Sequence, residues 1–313
     1  MSLVRAAPAG PAARVAKRPE GQRRSARRRR TAGAGITLSL PVAAFFVVFW
    51  VLPFCNTVYL SFTDYALAGD ANWVGLENYR RLLDDPQLHN SIKVTAIYTV
   101  CSVVPTVALA LLAALPLARP GKVNGLLRAG LLVPAVMPFV ATSIIWVIIY
   151  ADGGLADTTL DGLGGGHISW LGDERYAMWS LIVMVVWKHL GLFVLIFTAG
   201  IQGLDRDVFE AAALDGAKAV RTFFSITLPL LRRTLLFVLV IAVTGAMQSF
   251  IPAYLLTQGG PANATEVLPL YLYNNAFGFQ KMGYASALAV VLLLVMLILS
   301  AAQFRVLRGG EDE

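Results

Sequence analysis

Residues 203–229 read GLDRDVFEAAALDGAKAVRTFFSITLP, and this stretch is the most informative part of the chain. Asp207 is followed three residues later by Glu210, which is the spacing of a capping box, where two side chains satisfy free backbone N–H groups at a helix start. The spacing predicts a helix that begins at Val208. Small or apolar residues follow at 211–214, so one side of this helix is expected to be small.

The second half of the stretch predicts a helix end and a connection to another helix. Gly216 offers a helix stop or a point of close approach, because glycine adopts backbone conformations that other residues rarely reach. A second helical piece at 217–224 leads into Pro229, which suits the first turn of the next helix. The residues alone leave two interpretations open: a lever that docks on a soluble partner, or an ordinary amphipathic helix at a membrane surface.

The composition of the whole chain indicates a membrane protein. Of its 313 residues, 57% are hydrophobic and 14% are charged, and the mean hydropathy is +0.65. A soluble domain carries about 25% charged residues, and a disordered chain is poor in apolar residues. The composition therefore excludes both classes and favours an all-α membrane protein that crosses the bilayer several times.

Apolar runs long enough to cross the bilayer occur six times. About 20 helical residues span the hydrocarbon core, and the first run is too long for a secretory signal. The runs lie at 36–60, 92–117, 126–150, 178–202, 230–256 and 284–304. Residues 1–35 predict a disordered basic tail, residues 36–306 a membrane domain of six helices, and residues 307–313 a short second tail.

The distribution of lysine and arginine predicts the orientation of the spans. With the N-terminal tail inside, the inner segments hold 20 basic residues and the outer segments hold 4. Cytoplasmic loops carry the excess of basic residues in membrane proteins. Both termini are therefore expected in the cytoplasm, together with the segment 203–229, which becomes the loop between the fourth and fifth spans.

A pattern within this loop resembles a known family. Glu210-Ala211-Ala212, Gly216 after three further residues, and Ile226-x-Leu228-Pro229 are similar to the EAA loop of permease subunits in bacterial binding-protein-dependent ABC importers. Further similarity to carbohydrate importers of the maltose type lies at 61–65 (SFTDY), 74–79 (VGLENY), 256–261 (LTQGGP) and 283–287 (GYASA). One departure is Arg233, which stands where these permeases often have a second proline.

The resemblance implies a type I ABC importer permease fold, with six transmembrane helices and a cytoplasmic coupling helix between the fourth and fifth. It implies that the chain lies in the lipid of the bacterial cytoplasmic membrane and pairs with a second homologous permease. A dimeric ATPase would bind ATP and Mg²⁺, and an extracytoplasmic solute-binding protein would deliver the sugar. The residues that would couple the chain to the ATPase are Glu210, Ala211, Ala212, Asp215, Gly216, Leu228 and Pro229.

The chain itself is expected to bind no cofactor, metal or nucleic acid, and to be no enzyme. A phosphate-binding loop needs the pattern GxxxxGKS or GxxxxGKT. The only Gly-Lys pair, Gly121-Lys122, is followed by Val123. ATP hydrolysis is therefore expected on another subunit.

Polar residues inside the fourth and fifth spans are the candidate substrate contacts. Neutral sugars are held by hydrogen bonds and aromatic rings, so a site needs both at membrane depth. An ionisable residue inside a membrane helix is by default a functional hypothesis. The candidates, in spans where the family also places its contacts, are Trp187, Lys188, His189, Gln248 and Ser249. The alternative is that Lys188 and His189 bond to the partner subunit and that Trp187 serves in packing.

Two rival functions remain open from the sequence. Lys188 would suit an anionic substrate such as a glycerol phosphate in the same type of importer. A self-sufficient secondary transporter is the other rival, but it would predict internal repeats and an acidic relay. No Asp or Glu lies within the six predicted runs, which disfavours this second rival.

Overall fold

A computed structural model of the protein describes residues 39–308, with side chains to residue 305. The predicted tail at 1–35 therefore lies outside the described residues. The chain forms two compact units, the first ending at Asn56 and the second beginning at Thr57. All contacts given below lie within the second unit.

The part of the chain that the structure describes is almost entirely helical. Six of its segments are long and apolar enough to cross a membrane: Ser39–Leu60, Pro86–Leu117, Phe139–Gly162, Glu174–Gln202, Arg232–Leu256 and Met282–Arg305. The helices are α1 (Ser39–Leu60), α2 (Glu77–Leu83), α3 (Pro86–Leu117), α4 (Lys122–Val136), α5 (Phe139–Tyr150), α6 (Leu155–Gly162), α7 (Glu174–Gln202), α8 (Arg206–Leu214), α9 (Ala219–Leu230), α10 (Arg232–Met247), α11 (Ile251–Leu256), α12 (Leu268–Tyr273) and α13 (Met282–Arg308). This confirms the all-α membrane fold with six spans, although α13 continues past the predicted end of the membrane domain at 306.

The core of the second unit lies between α3 and α7, which pack along much of their length. Both helices begin at a capping aspartate, Asp85 for α3 and Asp173 for α7, whose side chain accepts hydrogen bonds from backbone N–H groups in the first turn. Small residues such as Ala110 and Ala114, both fully buried, let neighbouring helices approach α3 closely. Helix α4 in turn packs against α7.

The predicted third span, 126–150, is wrong as a single helix, because the chain is interrupted at Met137 and Pro138. Both residues have extended backbone, with ψ of 142° and 140°. Pro138 has no N–H group to donate to the carbonyl of Pro134, and it disfavours helical backbone at Met137 before it, so the helix ends here. The predicted third run is therefore divided by a full break between α4 and α5.

The fifth span is also interrupted, at residues 248–250, between α10 and α11. The backbone N–H of Gln248 still reaches the carbonyl of Thr244, but ψ of Gln248 opens to 6° and the helix stops. The predicted start of this span at residue 230 is two residues early, because Leu231 leaves helical geometry and α10 begins at Arg232. The fifth span thus carries a break, and another break lies directly before the third span, which begins at Phe139.

Side-chain hydrogen bonds to Asp85 join the start of α3 to α12 and α13. The carboxylate of Asp85 accepts hydrogen bonds from the hydroxyls of Tyr271 and Tyr284, in addition to the backbone N–H groups of Gln87 and Leu88. Burial raises the pKa of Asp85, but these hydrogen bonds outweigh burial and bring the pKa below its ordinary value. Asp85 therefore remains ionised at neutral pH and holds three helices together.

Candidate functional site

A cavity of about 490 Å³ lies between α3, α5, α7, α10 and α11. This volume is within the range of small-molecule sites, roughly 300–1,000 Å³. The break at 248–250 forms one wall, and α3 and α7 form the others. The polar and aromatic side chains on its lining are Tyr98, Ser102, Thr106, Phe139, His189, Phe193, Gln248, Ser249 and Phe250.

Helix α3 contributes a stripe of hydroxyl groups that the sequence analysis missed. Tyr98, Ser102 and Thr106 follow one another at intervals of four residues, so they share one face of the helix. Tyr98 is 1% exposed, and its hydroxyl lies 2.7 Å from the Ser249 hydroxyl. The sequence signal for this polar helix face is the four-residue spacing of hydroxyl residues in an otherwise apolar run.

His189 lines the cavity between two phenylalanine rings, as its placement among the candidates predicts. Its ring centroid lies 5.6 Å from that of Phe139 and 6.1 Å from that of Phe193. Its Nδ1–H donates to the carbonyl of Val185 at 3.1 Å. In the neutral ring this hydrogen bond leaves Nε2 as an acceptor, and among the described residues Nε2 has no hydrogen-bond partner.

Gln248 and Ser249 stand at the break in the fifth span, and both line the cavity. Gln248 is exposed, and its Nε2 lies 3.8 Å from the Sδ of Met296, a weak acceptor. Its amide oxygen and most of its donor capacity are thus available to a solute. Ser249 is engaged with Tyr98 across the cavity wall.

Trp187 and Lys188 do not belong to the cavity lining. Trp187 meets Trp146 edge to face with centroids 5.6 Å apart, as its packing interpretation predicts. The ammonium of Lys188 donates to the carbonyl oxygens of Pro134 and Met137 at 3.0 and 2.6 Å. Both residues thus lie outside the lining of this cavity, and Lys188 has hydrogen-bond partners within its own chain.

We predict that the Tyr98–Ser249 hydrogen bond stabilises the break in the fifth span. Ser249→Ala leaves the fully buried Tyr98 hydroxyl without its partner, which we expect to cost about 2 kcal/mol of unfolding free energy. Adding Tyr98→Phe to that variant should restore part of the loss. The measurement is a double-mutant cycle on thermal unfolding in detergent.

The Ser61–Tyr79 pair is the matched control, since its hydroxyls lie 2.8 Å apart but Tyr79 is only half-buried. Ser61→Ala is expected to cost less, because water can replace the lost partner of Tyr79. Equal losses of unfolding free energy in Ser249→Ala and Ser61→Ala would contradict the prediction.

The second feature of interest is the exposed segment after α7. Helix α8 begins at Arg206, and its cap is Asp205, whose carboxylate accepts a hydrogen bond from the backbone N–H of Asp207 at 3.0 Å. The predicted capping box and the predicted start at Val208 are therefore wrong. The actual cap lies two residues earlier, because an aspartate with extended backbone is already available there.

The predicted helix stop at Gly216 is confirmed. Gly216 has φ of +73°, and its N–H bonds the carbonyl of Ala213, while the N–H of Ala217 bonds the carbonyl of Ala212. This pair of bonds is a Schellman motif, which closes a helix on a residue in the left-handed region. The geometry turns the chain sharply between α8 and α9.

Helix α9 is longer than the predicted piece at 217–224 and contains a π-helical turn at Phe223–Thr227. Pro229 lies near the end of α9 and not in the first turn of the membrane helix, so that expectation is wrong. Leu231 separates α9 from α10, and Arg233 is the second residue of α10. Arg233 thus lies in the first turn of α10, where a proline would also be compatible with the helix.

The exposed surface of this segment combines small or apolar residues with charged residues of both signs. Leu214 and Val220 are 90% and 71% exposed. Ala212 is buried and Leu228 is half-buried, whereas the exposed members of the predicted coupling set are Glu210, Ala211, Asp215, Gly216 and Pro229.

Comparison with known proteins places the chain in a family. Residues 95–309 match the model of the family described as "Binding-protein-dependent transport system inner membrane component". The chain is 34% identical over 277 residues to a Bacillus subtilis (strain 168) protein named "Probable ABC transporter permease protein YesP", covering 87% of this chain and 89% of the relative. It is 32% identical to the trehalose/maltose transport system permease protein MalF of Thermococcus litoralis, covering 90% of this chain and 96% of the relative.

The fold is also similar to that of a solved structure. A crystal structure of a bacterial ABC transporter involved in the import of the acidic polysaccharide alginate contains a chain that matches with a TM-score of 0.80. The identity is 19%, and the match covers 91% of this chain and 98% of the other. This supports the type I importer permease fold. With the match over residues 95–309, it follows that the chain belongs to the inner membrane permease components of binding-protein-dependent ABC transport systems, which are non-catalytic membrane subunits.

Proposed function

We propose that the chain carries a neutral sugar, a di- or oligosaccharide, across the membrane as one of two permeases in an ATP-driven importer. Family membership supports the transport role, and the name of the relative MalF supports a sugar as the cargo. The observation that carries the proposal is the lining of the cavity between α3, α5, α7, α10 and α11.

The chemistry of this lining favours an uncharged polyol. It offers hydroxyl, amide and imidazole groups next to aromatic rings, the combination that holds sugars. Among the lining residues there is no Asp, Glu, Lys or Arg. A glycerol phosphate is the weaker candidate, because the ammonium that would attract it, Lys188, is bonded to backbone carbonyls outside the lining.

The exposed segment of α8 and α9 is the proposed contact with a dimeric ATPase that binds ATP and Mg²⁺. Its exposed small residues Ala211 and Gly216 would let backbone approach a partner closely, and Leu214 would bury its side chain in a groove. The charged side chains of Glu210 and Asp215 would fix the orientation of this segment on the ATPase. Since Gly216 closes α8 in a fixed geometry, force applied there would reach α10 through α9.

The remaining partners and the orientation belong to the same proposal. A second homologous permease would complete the pathway, and an extracytoplasmic binding protein would deliver the sugar. The excess of basic residues in the segments on one side of the spans supports a cytoplasmic location of both termini and of α8.

We predict that Gln248→Ala raises the apparent KM for sugar uptake about fivefold, because one or two hydrogen bonds to the sugar are lost. The measurement is uptake by the complete importer, reconstituted in vesicles with its ATPase and binding protein. Gln202→Ala is the matched control, since Gln202 bonds the Ala118 carbonyl far from the cavity lining. An unchanged KM in the Gln248 variant would place the sugar site elsewhere.

A competition assay with the same vesicles separates the two substrate classes. Excess neutral disaccharide is expected to inhibit uptake of the labelled sugar. Excess glycerol phosphate is expected to leave uptake of the labelled sugar unchanged. The reverse outcome would overturn the assignment of a neutral cargo. Co-purification of an ATP-hydrolysing dimer with the chain tests the coupling part, and transport by the isolated chain would contradict it.

A further inference from the structure

Lys188 is a buried cation whose surroundings explain its presence inside a membrane span. Its side chain is 3% exposed, and within the described residues no acidic side chain forms an ion pair with it. An unpaired buried ammonium is costly. The groups that offset this cost are two carbonyl oxygens and one aromatic ring, all from the break between α4 and α5.

The break itself creates the need for this lysine. In a continuous helix the carbonyl of Pro134 would accept from the N–H of residue 138, but Pro138 has no N–H. The carbonyl of Pro134 has only a long bond of 3.3 Å from the Met137 N–H, and the Lys188 ammonium supplies the missing donor at 3.0 Å. The extended Met137 turns its own carbonyl to the same ammonium at 2.6 Å. The negative end of the α4 dipole adds to the attraction.

The break also sets the position of a ring in the cavity wall. Phe139 is the first residue of α5 and follows Met137 and Pro138 directly. Its ring lies 4.5 Å from the Lys188 ammonium, in a cation–π contact, and 5.6 Å from the ring of His189. Lys188 thus contacts both the backbone before Phe139 and the face of the Phe139 ring, although Lys188 does not itself border the cavity.

We propose that Lys188 is a positioning residue. It stabilises the break between α4 and α5 and so fixes Phe139 as the aromatic surface against which the sugar ring lies. This inference rests on the proposed function of the cavity. It explains why the lysine lies next to His189 in sequence: His189 borders the cavity, and Lys188 supports Phe139, whose ring packs beside His189.

The test is uptake by the complete importer in vesicles, comparing variants that assemble equally. Lys188→Met is expected to raise the apparent KM for sugar about tenfold, because a displaced Phe139 ring loses its contact with the sugar, with the maximal rate much less affected. Lys188→Arg keeps the donors and the charge and should recover most of the affinity. Lys93→Met, an exposed lysine in α3, is the matched control and should change nothing.

A double-mutant cycle with Phe139→Ala separates this inference from the proposed function. If Lys188 acts through Phe139, Phe139→Ala alone raises KM and Lys188→Met adds no further change. A raised KM in Phe139→Ala with a normal KM in Lys188→Met would overturn the positioning role alone. A normal KM in Phe139→Ala would overturn the cavity as the sugar site and this inference with it.

A second variant keeps the test decisive if Lys188→Met fails to assemble. Pro138→Ala supplies an N–H that allows the helix to continue through residues 137 and 138 and so to satisfy the carbonyl of Pro134, which should partly restore assembly to the Lys188→Met chain. That restoration would support the role of Lys188 at the break. If Pro138→Ala restores nothing, the ammonium does not act through these carbonyls, and the inference is wrong.

Discussion

Gly191→Ala is expected to prevent the second unit from folding stably. A Cβ atom at Gly191 would lie 1.8 Å from the carbonyl oxygen of Leu131 and 2.3 Å from its carbonyl carbon. Both atoms belong to the backbone of α4, so no side chain can rotate to make room, and α4 and α7 must separate. Overpacking of this kind costs about 3 kcal/mol or more, a large part of the stability of a typical domain.

Gly130→Ala is the control for this prediction. Gly130 lies in α4 next to Leu131, but a Cβ atom there would meet nothing within 4 Å. Alanine is also the better helix former by about 1 kcal/mol, so this variant should be neutral or slightly more stable. The measurement is the yield of monodisperse protein in detergent and its thermal unfolding midpoint. Equal midpoints for the two alanine variants would mean that the close approach of α4 and α7 does not exist.

Gly216→Val is expected to abolish transport while the chain still inserts in the membrane. A Cβ atom at Gly216 would meet nothing within 4 Å, so the effect is one of backbone conformation and not of crowding. At φ of +73° a β-branched residue is strongly disfavoured. The Schellman motif would open, and α8 would lose its fixed angle to α9, which transmits the motion of the ATPase in the proposed mechanism.

Gly216→Asn is the matched control, because asparagine tolerates the left-handed region far better than valine. We expect it to keep most of the uptake activity. Uptake and ATP hydrolysis are measured on the reconstituted importer, and protein in the membrane fraction is measured by immunoblot. Normal uptake by the valine variant would remove the coupling role from this turn, whereas equal loss in both variants would point to a need for glycine itself.

The number and type of the membrane helices could be predicted from the sequence, but the positions at which the helices are interrupted could not. Hydrophobic length decides whether a segment crosses the membrane, and this information is local. Pro138 is compatible with either a kinked or a broken helix, and the break that the structure shows is stabilised by Lys188, which donates to the freed carbonyls. That donor lies 54 residues later in the chain, and only the fold brings it there.

The candidate site was predicted in part, for a similar reason. His189, Gln248 and Ser249 are polar residues in apolar runs, and they line the cavity. Lys188 has the same sequence signal as His189, but the two adjacent residues project to different sides of α7, and the sequence alone did not decide which side borders the cavity. The cap of α8 was misplaced because Asp205 and Asp207 are both acceptable caps and the choice depends on the backbone after α7.

The interruptions at Met137–Pro138 and at 248–250 have a consequence for hydration. Hydrocarbon offers no partners for free peptide groups, so irregular backbone persists at membrane depth only where protein or water covers it. Residues from both interruptions, Phe139 and Gln248, border the same cavity, and its size and its hydroxyl, amide and imidazole groups lead us to expect that it holds water before any solute arrives. An entering sugar would displace this water and replace its hydrogen bonds with hydrogen bonds to the lining, without being exposed to hydrocarbon.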